Sequence, residues 1–195
     1  MQGIFAAVSA VLILIAAPPY IIDTVRGNTK PERVTWLIFS ILGVIAFISQ
    51  LLMGASWSLV FSGLDTLASI LVLCLSVKYG VGGHTKVDII ALIVASIGVL
   101  IAIFAKEPII SLLGVILADF SGVALTLKKT YVNPGSETAI TWILVGTASL
   151  FGVLSVGRMS FGILLYPVYL TVVNFSVPFV QFVRRTQPKP KRVRM

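Results

Sequence analysis

Seven apolar runs, roughly residues 3–22, 34–54, 57–78, 87–105, 108–128, 138–157 and 161–183, hold most of the chain, and its charges fall almost entirely in the gaps between them. About 20 apolar residues, at about 1.5 Å of rise each, make a helix that crosses about 30 Å of hydrocarbon. In that solvent each backbone N–H and C=O must be satisfied inside its own segment, so a spanning run of this kind is helical. Only 11% of the residues are charged and the mean hydropathy is +1.04. A soluble domain carries about 25% charged residues to cover its surface. The expectation is an all-α integral membrane protein with seven transmembrane helices. The first run has no basic residue before it and is followed by Pro and Tyr, so it is expected to be a retained helix rather than a cleaved signal.

The charges give the expected direction. Arg26, Lys30, Arg33, Lys78, Lys86, Lys128, Lys129, Arg184, Arg185, Lys189, Lys191, Arg192 and Arg194 fall on one side of a seven-span layout, leaving Lys106 and Arg158 for the other. Basic residues mark the cytoplasmic side, which puts the N-terminus outside and the C-terminus inside, most simply in a bacterial inner membrane. The net charge of +8 is then an orientation signal, not a nucleic-acid patch. The Pro-broken basic tail, residues 186–195, is expected to be disordered and to lie near anionic lipid headgroups.

Spans one and five run in the same direction, so spans one to three can be repeated as five to seven. A shift of 106 residues places Thr35-Trp36 on Thr141-Trp142 and Lys78 on Arg184, and it matches the loop "RGNTKPERVTW" with "YVNPGSETAITW". The units are residues 1–79, a linker helix within 80–106, and residues 107–185. A parallel repeat about an axis along the membrane normal is a transporter architecture.

A proline-bearing first span, a short cytoplasmic loop leading into Thr and an aromatic, the 3+1+3 order and the outside N-terminus resemble the SWEET/PQ-loop clan of seven-helix transporters. Where that clan carries Pro-Gln, this chain has Pro18-Pro19-Tyr20, and "ALTLKKT" in span five has no proline. The resemblance implies alternating access between two three-helix bundles, proline hinges, and a central site to which spans three and seven each contribute an asparagine. Asp65 is similar in place to the first of these, and Asn174 or Thr171 to the second. A carboxylate in place of an amide suits a cationic or proton-coupled substrate.

The residues themselves point to the same places. Pro18 and Pro19 each remove a backbone donor and crowd the carbonyl four residues back, so they either bend the first helix as an inner hinge or end it early. Pro178 is similarly placed in the last span. Asp65 and Asp119 lie about 12 and 16 Å below the outer ends of their runs, where an ionised carboxylate costs at least about 2.5 kcal/mol. Each must face protein or water, find a donor, or take up a proton. Asp65 is expected in a substrate site with Thr171, Asn174, Tyr166 and Tyr169; Asp119, with Asp65, is the candidate proton relay. Gln50, Ser62, Thr66 and Ser69 are further candidates for a cavity lining. Trp36 and Trp142 are either interfacial belt residues or parts of a gate.

Neither cofactor nor metal is expected. Cys74, the one cysteine, is read as packing, and His84, the one histidine, as solvated in "GVGGHTKVD"; no Gly-rich phosphate loop or nucleophile-base set stands out. The chain is therefore not read as an enzyme. It is read as a secondary transporter of a small polar or cationic metabolite, the alternative being a non-transporting sensor, sorting receptor or assembly factor. Its expected partners are the substrate and membrane lipids, and self-association is open.

Overall fold

A computed structural model describes residues 2–52, 57–155 and 161–186. Seven helices follow the seven apolar runs: α1 (Gln2–Val25), α2 (Arg33–Leu52), α3 (Trp57–Tyr79), α4 (Lys86–Phe104), α5 (Pro108–Val132), α6 (Ala139–Ser155) and α7 (Phe161–Thr186). The protein is all-α among the described residues; its only extended pairing is an isolated bridge between Glu32 and Val81. Four helices, within α1, α4, α5 and α7, are long and apolar enough to cross a membrane. They suit an integral membrane protein, as does the ridge of exposed Ile89, Ile93, Ile97, Leu100 and Phe104 on α4, which only hydrocarbon or another protein would cover well. Cys74 is exposed rather than packed. The predicted short connections at 54–56 and Arg158, and the basic tail from 187 onward, lie outside the described residues.

The helix neighbours form a regular pattern. α3 packs between α1 and α2, and α7 between α5 and α6; across the two groups α1 packs on α6, and α2 on α5. Exchanging α1 with α5, α2 with α6 and α3 with α7 reproduces this set of pairs. α4 stands outside the exchange, against α5 and α2, where Val34, Ile38, Ala91, Ala95, Ala118 and Leu125 form a buried apolar cluster.

α1 is continuous through Pro18 and Pro19, so the prolines do not end it early. Two helical donors are missing there, and the carbonyls of Leu14 and Ile15 lose their usual partners. Pro167 and Pro178 lie inside α7 in the same way.

The loops α1–α2, α3–α4 and α5–α6 gather at one end of the bundle and bond to each other. Lys30 N donates to Ser136 O (3.0 Å), Val81 N to Pro31 O (2.9 Å) and Arg33 N to Val81 O (2.9 Å). The Arg33 guanidinium then caps the open end of α3 by donating to the carbonyls of Ser76, Gly80 and Gly82 at 2.9 to 3.0 Å. Gly82 has a φ of 81°, and a Cβ there would lie 1.9 Å from Glu32 Oε1, so both its conformation and its space require glycine.

Glu32 is the buried carboxylate of this end. Its Oε2 accepts from Thr35 N (2.6 Å), capping α2, and lies 2.9 Å from Thr35 Oγ1, whose single proton it shares with Gly122 O, while Oε1 has no partner among the described residues. Burial pushes its pKa up, against the lowering effect of the Thr35 bonds. A folded-state pKa above the unfolded value of 4.5 means that the native protein holds the proton more tightly, so Glu32 lowers stability as pH rises through that window. Glu32→Gln should flatten this dependence: the thermal midpoint of the variant, measured from pH 4.5 to pH 8, should fall less than that of wild type. Parallel curves would show that Glu32 does not titrate differently on unfolding.

Candidate functional site

Trp142 is buried and Trp36 half-buried, and both indoles donate within the protein. Trp36 Nε1 donates to Tyr20 Oη (3.1 Å) and Trp142 Nε1 to Glu137 Oε2 (2.8 Å). Tyr20, 1% exposed, donates in turn to Glu137 Oε1 (3.3 Å), the oxygen that also receives the Lys129 ammonium. Glu137 thus joins α1, α5 and α6. Its own backbone carbonyl accepts from Gln181 Nε2 of α7 (2.7 Å). Thr138 Oγ1 meets Thr29 Oγ1 and donates to Asp23 Oδ2 (2.9 Å), tying the two loops directly. Hydrogen bonds from five helices and two loops therefore seal this end of the bundle.

Two of the bonds are repeats of each other. Thr35 Oγ1 of α2 donates to Gly122 O of α5 (2.6 Å), and Thr141 Oγ1 of α6 donates to Ala16 O of α1 (2.9 Å). Thr141 lies 106 residues after Thr35, and Gly122 lies 106 after Ala16. The same offset relates donor to donor and acceptor to acceptor across the two cross-bundle contacts. Lys30 and Ser136, whose backbones bond, are themselves 106 apart, so they sit where the two halves meet.

Above this seal lies a cleft of about 340 Å³. α1 contributes Leu14, Ala17, Pro18 and Tyr20, α2 contributes Trp36, and α6 contributes Thr141 and Val145. α3 supplies Asp65, Ser69 and Val72. Tyr20 and Trp36 form a tilted ring pair, 5.0 Å between centroids, at the sealed end. Asp65 is exposed by area yet sits deep among protein atoms, because its exposure is to the cleft. No hydrogen bond or ion pair reaches its carboxylate among the described residues.

Asp119, 7% exposed, accepts from Tyr169 Oη of α7 at 2.7 Å. The rings of Tyr166 and Tyr169 stack 6.2 Å apart at 22°. The Asp65 charge reaches Asp119, and both carboxylates reach Tyr166, although α3 does not pack against α5 or α7. Three of the predicted residues, Asp119, Tyr166 and Tyr169, are therefore grouped where α5 packs on α7, with Asp65 on α3, which packs on neither. Thr171 and Asn174 spend their donors on their own helix, on Pro167 O and Leu170 O at 2.8 Å each, and neither lines the cleft. Pro18 lines the cleft, whereas Pro178 lies along α7 away from it.

Sequence reasoning missed Glu137 and Tyr20, the centre of the seal. A signal was present: Glu137 follows the loop's turn residues and precedes an apolar run, the setting of a helix-start carboxylate. No family model, no curated protein and no solved structure matches this chain.

Proposed function

We propose that the chain is a seven-span secondary transporter of the SWEET/PQ-loop kind, with its N-terminus outside and its basic loops and tail in the cytoplasm, carrying a small polar or cationic metabolite by alternating access. The pair of cross-bundle bonds Thr35–Gly122 and Thr141–Ala16, exchanged by one 106-residue offset, carries this reading. Bonds related in this way join two like bundles at a common end, and such bonds break and re-form together when one bundle rocks against the other. The sealed end is then the closed inner gate. Tyr20, Trp36, Trp142 and Glu137 are its bolts.

Opening it needs a bend in α1, and Pro18 and Pro19 place the missing helical donors directly before the gate residue Tyr20, alongside the cleft. Asp65 receives the substrate or a proton. Asp119, held by Tyr169 and within electrostatic range of Asp65, is the relay partner that makes proton coupling feasible. α7 supplies Tyr166, Tyr169, Thr171 and Asn174, with Pro178 as its own hinge, so that closure of the opposite side can be felt at the acids.

The test is a distance measurement between spin labels on Asn28→Cys and Gly135→Cys, in the α1–α2 and α5–α6 loops, with Cys74 replaced by Ser. A carrier in lipid should give two distance populations, and Pro18→Ala with Pro19→Ala should reduce the longer one at least about threefold. One unchanging short distance would identify a fixed scaffold instead. Uptake in vesicles supplies the second arm: if Asp65→Asn and Asp119→Asn both left uptake and its pH dependence unaltered, the acids would have no part in transport.

A further inference from the structure

The cleft itself narrows the ligand. It is small for a binding site, about 340 Å³ where ligand sites run from roughly 300 to 1,000 Å³, so its occupant has few non-hydrogen atoms. Its lining is almost wholly apolar: Leu14, Ala17, Val72 and Val145 offer nothing to a hydroxyl or an amide. The polar groups on the walls are largely committed elsewhere. Thr141 Oγ1 donates to Ala16 O, and Tyr20 Oη donates to Glu137 while accepting from Trp36.

What remains is one carboxylate, Asp65, with the Ser69 hydroxyl one helical turn on, and an aromatic pair, Tyr20 and Trp36, at the far end. Such a wall cannot satisfy a sugar, whose many hydroxyls would each lose a water partner without gaining a protein one. A metal ion would find a single carboxylate and would leave the apolar volume empty. A proton alone would neutralise Asp65 but would not explain the space.

We infer that the cleft binds a small organic monocation with an apolar body, an arylalkyl- or alkylammonium, its ammonium on Asp65 and its body against α1, α3 and the Tyr20–Trp36 pair. The charge supplies a donor to Asp65, which has none among the described residues, and the body fills the apolar remainder. The Tyr20 and Trp36 rings offer the body an aromatic surface at the other end of the cleft. Asp119 is not part of this contact, because it does not line the cleft. The assignment rests on the carrier reading for its biological use, but binding can be measured without transport.

The probes are phenethylammonium, its neutral isostere phenethyl alcohol, and methylammonium, which has the charge and little body. Each is titrated to 5 mM against the full chain in detergent while the thermal midpoint is recorded. Phenethylammonium should raise the wild-type midpoint by about 3 °C or more, as selective binding to the native state requires, while the other two leave it unmoved. Asp65→Asn should abolish the shift and Asp119→Asn should keep it. Ala68→Phe retains the carboxylate but narrows the cleft, and it should also abolish the shift; it decides the matter if Asp65→Asn does not fold.

Equal shifts with the alcohol, a shift that survives in Asp65→Asn or Ala68→Phe, or no shift with any probe would overturn the assignment. Uptake of labelled phenethylammonium into vesicles separates the two levels. Binding without uptake supports the site and counts against the carrier, whereas two loop-distance populations with no amine binding support the carrier and overturn this site.

Discussion

Glu137→Ala should lower the thermal midpoint by roughly 10 °C, because removing one partner of a buried ion pair costs about 3 to 5 kcal/mol. The Glu137 side chain is fully enclosed and that of Lys129 is only 11% exposed, so water cannot replace the lost carboxylate. The substitution also takes the acceptor from Trp142 Nε1 and one from Tyr20 Oη. Tyr20 keeps its bond from Trp36, and Lys129 keeps Lys30 O, which sets the loss below that of a fully orphaned charge. The double variant Lys129→Met with Glu137→Gln should recover at least about half of the loss, since it removes the charge and leaves an amide oxygen for the indole. In lipid the loop-to-loop distance of Glu137→Ala should shift toward the longer population. A midpoint within about 2 °C of wild type would show that Glu137 is not the centre of the seal.

The positions of the helices were legible because each apolar run is bounded by turn residues and charge, and four of the seven helices, within α1, α4, α5 and α7, have the length and apolarity that hydrocarbon requires. The 106-residue offset was legible at Thr35 and Thr141, whose hydroxyls make matching bonds to Gly122 O and Ala16 O. It was obscured at the carboxylates just before them. Glu32 precedes its threonine by three residues, and Glu137 precedes its own by four. That one added residue separates their fates: Glu32 caps the helix it starts, while Glu137 reaches across to α1 and α5. Asp119 and Tyr169 were each picked out, but as separate candidates; a pairing between residues 50 apart depends on how α5 and α7 pack, which periodicity does not report. Thr171 and Asn174 show the converse. Their spacing on one face was correct, yet short polar side chains in a helix can turn back to the carbonyl four residues earlier, and both do.

Gly98→Leu should have the other large effect, detaching α4 from α5. A Cβ at Gly98 would lie 2.6 Å from Gly114 O and 2.7 Å from Ala118 N; one at Gly114 would lie 2.6 Å from Gly98 O and 2.7 Å from Ala102 N. The contact is reciprocal, small residue over small residue on both helices, and the atoms in the way are backbone, which cannot move aside as a side chain can. Between membrane helices there is no water to expel, so close packing of this kind carries much of the association. Even Gly98→Ala should cost about 2 kcal/mol, toward the upper part of what overpacking a core costs, and Gly98→Leu more. Gly98→Ala and Gly114→Ala together should cost clearly less than their sum, because the first substitution already separates the helices. Gly152→Ala is the internal control: nothing lies within 4 Å of its Cβ position on α6, and alanine there should stabilise the helix by a few tenths to about 1 kcal/mol. Midpoints measured on these variants in one detergent decide the matter, and a Gly98→Ala midpoint equal to that of Gly152→Ala would refute the close crossing. In the proposed carrier this crossing also makes α4 travel with α5 rather than with α3, to which the chain joins it. The α3–α4 loop, clasped by Arg33, is then where the motion of one bundle against the other must be absorbed.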